Sequence, residues 1–306
     1  MASSPMMRSG FANLMYPGLH KVYLLNYASY PEEYTQFLNI ESSTRRQEED
    51  SVVAGFGLVP EKGEGVQPAV DVMALSGKRE YLHKTYALGY EVTEECVEDE
   101  LYSIVSKASK ALAIAVKQTL DVLGAGVLNN GFTATAPYLG VDGLSLFNAN
   151  HTQLKVTGGV VSNMPATTVD FDPTSLNSAL EQWETLTDDN GLPMMIKPKY
   201  VVSGPKQRRI ITQTLGTELQ PFTNDNEINA VKEWELEKMI LHYLSDDDFW
   251  CLLSRKDDHY LKWFWRIKPA FRGYDDPNTG NAKYMVRFRA SQGFTHWYGT
   301  WGSAGI

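Results

Sequence analysis

The sequence predicts a mixed α+β fold on three observations. Residues 94–129 repeat their apolar side chains at helical spacing, residues 172–215 alternate helix and strand signals, and the chain from Phe249 onward is rich in strand patterning. With 306 residues, 43% of them hydrophobic and 21% charged, the chain can bury a sizeable core.

The helix is the strongest of these signals. Thr93 is placed to cap it, and Glu94, Glu95, Glu98, Asp99 and Glu100 load its first turns with the charge that the helix dipole favours. Apolar positions from Val97 through Leu112, Val116 and Leu120 to Val127 mark one buried face. Lys107, Lys110, Lys117 and Asp121 fall largely off that face, and Asn130-Gly131 is a good stop. Such a helix is about 50 Å long. It reads as a strut across a flat molecule or as the core helix of a larger compact domain.

Residues 1–47 form a weakly patterned leader, with aromatic residues scattered between turn formers and room for a short helix over 31–39. A leader with little core of its own must lie on its own domain or on a neighbouring molecule. Residues 48–92 read as an extended hairpin. Its strands are the run Val52 to Gly57 and the run Val70 to Ala74, around a polar, Gly-rich stretch at 61–67, continued by alternation at Tyr86, Leu88 and Tyr90. An isolated two-stranded ribbon is marginal in water, so it either reaches outward for a partner or folds back on its own sheet.

Further along, Asp172 caps and Pro173 opens a helix running to about Thr187. Lys199–Ser203 is a short buried strand, and Pro205 opens another helix to about Leu215. Residues 229–244 fit helix and strand equally well. Strands follow at 249–253, 261–265 and 284–289, with a turn-rich stretch from Tyr274 to Asn281. No repeat and no low-complexity linker divides the chain.

The net charge of −9 argues against a protein that grips nucleic acid by its phosphates. It is compatible with an acidic wall that encloses DNA without adhering to it, and with plain solubility. Cys96 and Cys251 match no zinc or redox spacing and read as inert thiols. No signal peptide and no membrane-span run stands out.

Catalytic motifs are missing from the linear pattern. No GxGxxG, GxxxxGK[ST] or GxSxG occurs, and the six histidines form no metal half-site. His151 reads as a loop hydrogen-bonder and Asp246-Asp247-Asp248 as an acidic turn. Arg45-Arg46 and Arg208-Arg209 read as salt-bridge doublets at surfaces or interfaces. No catalytic, cofactor-binding or metal-ligating residue is assigned, and the chain is read as a non-enzyme.

The run Leu144 to His151, with Ser162-Asn163 after a Gly-rich gap, resembles a stretch of Mu-like phage major head proteins. The similarity continues through Leu180 to Gly191, Pro198 to Val202, Asn224 to Trp234, and Arg287 to Gly299. It covers roughly residues 50–306. It implies a tailed-phage major capsid protein with the Hong Kong 97-like capsid fold. The implied parts are an N-terminal arm (1–47), an extended loop hairpin (48–92) and a peripheral domain with its spine helix (93–139). An axial domain (140–265), and late strands returning to the peripheral domain together with the C-terminal end (266–306), complete it. The resemblance also favours the strand reading of 229–244.

The expected function is then self-assembly into hexamers and pentamers of an icosahedral shell around double-stranded DNA, without sequence-specific binding. Expected partners are further copies of the chain, a separate scaffolding protein, a portal and, in some shells, a decoration protein. No cofactor and no membrane is expected, and the location is the virion, assembled in the host cytoplasm. Tyr23, Tyr27, Phe37, Arg45, Arg46 and Phe56 are the candidate intersubunit contacts. Packing of the three leader aromatics within the subunit is the alternative. Deleting residues 1–30 should then leave a folded subunit and impair shells. The competing readings are an encapsulin-like nanocompartment shell and a soluble α/β enzyme without a linear motif.

Overall fold

One long helix supports the first of two four-stranded sheets in the computed structural model, which describes residues 11–93, 95–96, 102–219, 228–276 and 281–306. Expectations for residues 1–10, 94, 97–101 and the 277–280 turn lie outside the described residues. Five helices are used below: α1 (Phe11–Ser29), α2 (Tyr34–Phe37), α3 (Tyr102–Asn129), α4 (Pro173–Thr185) and α5 (Arg208–Gly216). The first six strands are β1 (Asn39–Ser42), β2 (Gln47–Ala54), β3 (Ala74–Leu82), β4 (Lys84–Val92), β5 (His151–Thr152) and β6 (Val160–Val161). The last six are β7 (Pro198–Ser203), β8 (Glu237–Ile240), β9 (Trp250–Ser254), β10 (Leu261–Asp275), β11 (Ala282–Phe294) and β12 (Thr300–Ser303).

Helix α3 buries Val105, Leu112, Val116, Leu120 and Val127, the face its spacing predicts. Residues 95 and 96 are helical, and the Thr93 hydroxyl accepts the Cys96 N–H at 3.3 Å, a capping contact. By length and composition Ser103–Asn129 would pass for a membrane span, although the sequence pattern suggested none; more than half of its most apolar stretch is buried inside the protein. Lys117 and Asp121 correct the sequence reading, because both are buried. Lys117 pairs with Glu32, and Asp121 accepts the backbone N–H groups of Glu33 (2.8 Å) and Tyr34 (3.1 Å). The leader covers this side of α3 and supplies the partners that burial demands.

The leader is therefore more structured than its pattern suggested. It is a 19-residue helix followed by a single turn, packed on α3 and β10. Pro17 inside α1 and the turn formers around it hide the spacing Leu19–Tyr23–Tyr27. Leu19 is fully buried. Deletion of residues 1–30 is now expected to unfold or strongly destabilise the subunit. Leu19→Ala alone should cost about 3 kcal/mol, read as a shift in the urea midpoint. A truncated subunit of unchanged midpoint would show α1 to be dispensable.

The first sheet has the order β1-β10-β11-β4. Trp263, Trp265, Phe271, Tyr284, Val286 and Phe288 point inward onto α3 and α1 and form the main core. Strand β10 is far longer than the expected 261–265. Pro269 sits in an irregularity between Ile267 and Ala270, where the ladder loses register and resumes.

The expected 48–92 hairpin divides. Strands β2 and β3 do pair antiparallel, but residues 55–73 hold no strand, so the Val70–Ala74 strand begins only at Ala74. At His83 the chain leaves the ribbon, and β4 joins β11. There Tyr86 stacks on Phe288 and Tyr90 packs on Tyr284.

The second sheet runs β12-β9-β7-β8. Its core gathers Leu176, Leu180 and Trp183 of α4, Val201, Ile211, Trp250 and Trp301. Helix α4 starts as expected, with the Asp172 carboxylate accepting Ser175 N–H at 2.7 Å and Pro173 in its first turn. Residues 229–244 satisfy both readings in turn. A one-turn 3-10 helix (230–234) ends at Glu235 with φ of 49°, and β8 follows, parallel to β7. The end of the chain beyond β11 joins a different sheet. Strand β12 pairs with β9 in the second sheet, because Trp301 packs on Trp250 (ring centroids 5.0 Å apart).

A buried polar network ties the segment 142–163 to Thr300 of β12. Asn163 accepts the Asn148 N–H (2.9 Å) and faces His151 Nε2 (3.2 Å), while its amide donates to Leu146 O (2.8 Å) and reaches Thr300 (3.3 Å). His151 Nδ1 pairs with Asp142 (2.6 Å), and its ring stacks on Trp297. Burial raises the Asp142 carboxyl, but the His151 contact and the Leu144 N–H outweigh it and hold it below the ordinary range.

Candidate assembly surfaces

The β2–β3 ribbon is tied down at its base and free at its tip. Near the base, Asp50 pairs with Lys262 (2.7 Å), and Tyr81 OH meets Thr295 Oγ1 (2.8 Å). Midway, Ser76 Oγ accepts the Val52 N–H (2.8 Å). Beyond it the cross-strand pair Val53–Leu75 is exposed, and the loop 55–73 continues outward. Glycines and prolines at 55, 57, 60, 63, 65 and 68 deny this loop a regular ladder. Gly65, at φ of 76°, occupies a conformation that few other residues adopt.

The loop is open to solvent yet apolar. Val59 is 94% exposed and Val70 84%, with Leu58, Val66, Val72 and Met73 also exposed. Water is a poor final environment for so many adjacent apolar side chains. The neck of the loop is nevertheless organised. Asp71 accepts the N–H groups of Gly57 and Val72, each at 2.8 Å. Lys155 Nζ donates to Gly55 O (2.7 Å) and to Asp71 (3.1 Å). These backbone donors and Lys155 lower the Asp71 carboxyl pKa. Lys155 itself stands on a pinned turn, where Leu154 N–H and Lys155 N–H donate to Asp189 and Gln153 holds Thr187.

The six expected contact residues separate into two groups. Tyr23 (2% exposed) packs on Phe271 and Tyr27, and Phe37 (1%) lies in the same core. Tyr27 is half-buried, with the Lys117 ammonium 4.0 Å above its ring and its hydroxyl donating to Glu32. These three rings pack within the subunit, because α1 and α2 lie against α3, which is the alternative that the sequence left open. Arg45 and Arg46, in the turn between β1 and β2, are exposed, and Phe56 is 57% exposed at the ribbon tip. The sequence reading did not single out Leu58, Val59, Val66 and Val72 as contacts, because Leu58-Val59 is a lone apolar pair between Gly57 and Pro60, Val66 stands among polar residues, and Val72 lies in the run read as a strand. It also missed Lys155 and Asp71, whose meeting no linear spacing announces.

Histidine and cysteine chemistry is occupied elsewhere. His151 is a buried loop hydrogen-bonder, as its context suggested. Cys251 is fully buried, its thiol pKa pushed up by burial, and Cys96 is free. Among the described residues no group of His, Cys, Asp and Glu is placed to hold a metal ion.

A family model described as phage capsid protein matches residues 78–301. The chain belongs to the phage capsid protein family. No curated protein sequence matches it. Among solved structures, this capsid protein is similar to the procapsid of bacteriophage JBD30, with 16% identity over 97% of this chain and 76% of that one and a TM-score of 0.55. It is similar to a virus-like particle from Pyrococcus furiosus, with 9% identity over 94% and 98% and a TM-score of 0.53. It is also similar to a JBD30 capsid decorated with minor capsid protein trimers, with 14% identity over 71% and 92% and a TM-score of 0.54. The fold of this capsid protein is thus the mixed, Hong Kong 97-like capsid fold.

Proposed function

We propose that this chain is the major capsid subunit of a tailed phage, built into hexamers and pentamers of an icosahedral shell around double-stranded DNA. One observation carries the assembly reading: the apolar loop 55–73, organised at its neck and unburied at its tip. The ribbon and loop extend over a neighbouring copy, with Phe56 at the tip and Arg45 and Arg46 near the base. The contact repeats around the shell, so each instance can be modest while the whole is durable.

In this reading residues 1–47 are the N-terminal arm, 48–92 the extended loop, 93–139 the peripheral domain and 140–265 the axial domain. Residues 266–306 are the closing strands. A separate scaffolding protein, a portal and a decoration protein are the partners; the likeness to a JBD30 capsid decorated with minor capsid protein trimers supports the last. The particle is assembled in the host cytoplasm and becomes the virion.

Electron microscopy of the expressed chain, alone and with candidate scaffold, tests this. Closed icosahedral particles are expected. A small monodisperse oligomer under every condition would sink the shell reading. The likeness to the Pyrococcus furiosus virus-like particle favours a second reading, a nanocompartment shell. Particles enclosing an enzyme cargo and no nuclease-protected DNA would select it.

A further inference from the structure

The two faces of the first sheet differ in character. The inner face is the aromatic core. On the outer face, alternation along β11 places Lys283, Met285, Arg287 and Arg289. The register sets Ala87 and Ala270 beside Arg287, Thr85 and Ile267 beside Arg289, and Gly89 and Arg272 beside Met285. Arg266 follows at the bulge. Its charge and that of Arg289 both act on His83, an imidazole that burial already holds below its ordinary pKa, against the pull of Glu48.

Four guanidinium groups therefore share one face, with Arg287 and Arg289 about 6.7 Å apart along their strand. The small residues between them, Ala87, Gly89 and Ala270, leave the groups unscreened. Among the described residues none of the four makes an ion pair with a carboxylate, and Arg289 Nε is buried without a hydrogen-bond partner. Lys283, at the far end, is already taken by Asp276 and Glu91.

Neighbouring like charges destabilise a sheet. This arrangement stands in a chain of net charge −9, so the remaining surface is more acidic than that figure alone indicates. We infer that the outer face of the β10–β11–β4 sheet, centred on Arg272, Arg287 and Arg289, is a subunit contact that docks an acidic surface of a second copy of this chain. The inference rests on the shell reading above and names a further contact within it. Exposed carboxylates outside the subunit's own ion pairs are at hand on each copy, at Asp246 and Asp248 in one turn and at Glu233 and Glu235 beside the edge strand β8, whereas Asp247 and Glu237 are taken by Lys206 and Lys199. Contact between a cationic face and a different, acidic face is heterologous, and it propagates from copy to copy as an extended shell requires. Arginine suits the task, because its planar fork grips a carboxylate with two parallel hydrogen bonds.

The test compares the full chain with Arg287→Glu/Arg289→Glu and with Arg287→Gln/Arg289→Gln. The protein concentration needed for particles is measured by light scattering and microscopy between about 0.05 and 0.5 M NaCl. The wild type is expected to need more protein as salt rises. The reversal should raise the threshold at low salt by about ten-fold or more and flatten its salt dependence, and the glutamine pair should fall between. Circular dichroism and thermal midpoint verify folding; if the reversal does not fold, the glutamine pair gives the result. Folded variants with the wild-type threshold and salt dependence would overturn the inference. So would variants that assemble normally but lose binding of a DNA duplex that the wild-type subunit retains, which makes this a nucleic-acid face. If the wild type forms no particles at all, the shell reading itself fails and this inference falls with it.

Discussion

Replacing Leu58, Val59, Val70 and Val72 together by serine is expected to give a folded subunit that no longer assembles. Each of these side chains is exposed in the subunit, so folding gains nothing from them. Burying one Val or Leu is worth about 1.5–3 kcal/mol before the costs of association. Four lost from every loop weaken each contact by several kcal/mol, and a shell repeats that loss at every subunit. Near-UV circular dichroism and the urea midpoint should match the wild type, while sedimentation velocity shows only small species. Particles in normal yield would remove the loop from assembly. Asp71→Asn probes a different property of the same loop. Its neck contacts to Gly57, Val72 and Lys155 orient the loop without supplying its apolar surface.

Acid is expected to destabilise the subunit steeply between about pH 6.5 and pH 4. His259 and His296 are both buried, and burial lowers each to about 4. For His259 the charge of Lys256 adds to this and Asp257 opposes it; for His296 Asp142 opposes and His151 adds. The unfolded chain takes up protons near pH 6.5, while the folded one resists until about 4, so stability rises with pH across that window. Above it both states are neutral and the contribution is flat. A shift of that size corresponds to about 3 kcal/mol for each histidine at the acid end. The lowered Asp142 carboxyl acts in the same direction, at lower pH. Asp121 and Asp189, raised by burial, offset part of the loss by binding protons in the folded state. Urea midpoints from pH 7.5 to 4 measure this, and His296→Gln should make the slope shallower. A midpoint constant over that range would contradict the buried-histidine account.

The resemblance through Leu144–His151 and Asn163 has a physical basis in the fold. Phe147 fills the main core, and Leu146 O, Asn148 N and His151 all meet the Asn163 side chain. A turn, a glycine-rich gap and an asparagine are separate features in the sequence. In the folded chain they form one network, which also holds Thr300 of β12. That tie helps to place the last strand in the second sheet, and no local pattern could announce it. Residues 229–244 were similarly undecidable, because a one-turn helix and a strand follow each other within fewer residues than either period needs to show itself.

By itself the sequence determined what depends on near neighbours along the chain. Helix α3, with its apolar face and its glycine stop, follows from spacing and capping, as does α4 from Asp172 and Pro173. The absence of a linear catalytic motif and the acidic balance were legible in the same way. Tertiary structure alone decided which surfaces remain free. The aromatic leader became part of the core because α3 offers it Lys117 and Asp121 to pair with. The polar-looking loop at 55–73 became the apolar surface because the subunit holds only its neck, through Lys155, and leaves Leu58, Val59, Val70 and Val72 exposed. Four arginines from two strands converged on one face only when β10 and β11 paired. Burial and charge at a surface are sums over residues distant in sequence, so they exist only once the chain has closed on itself.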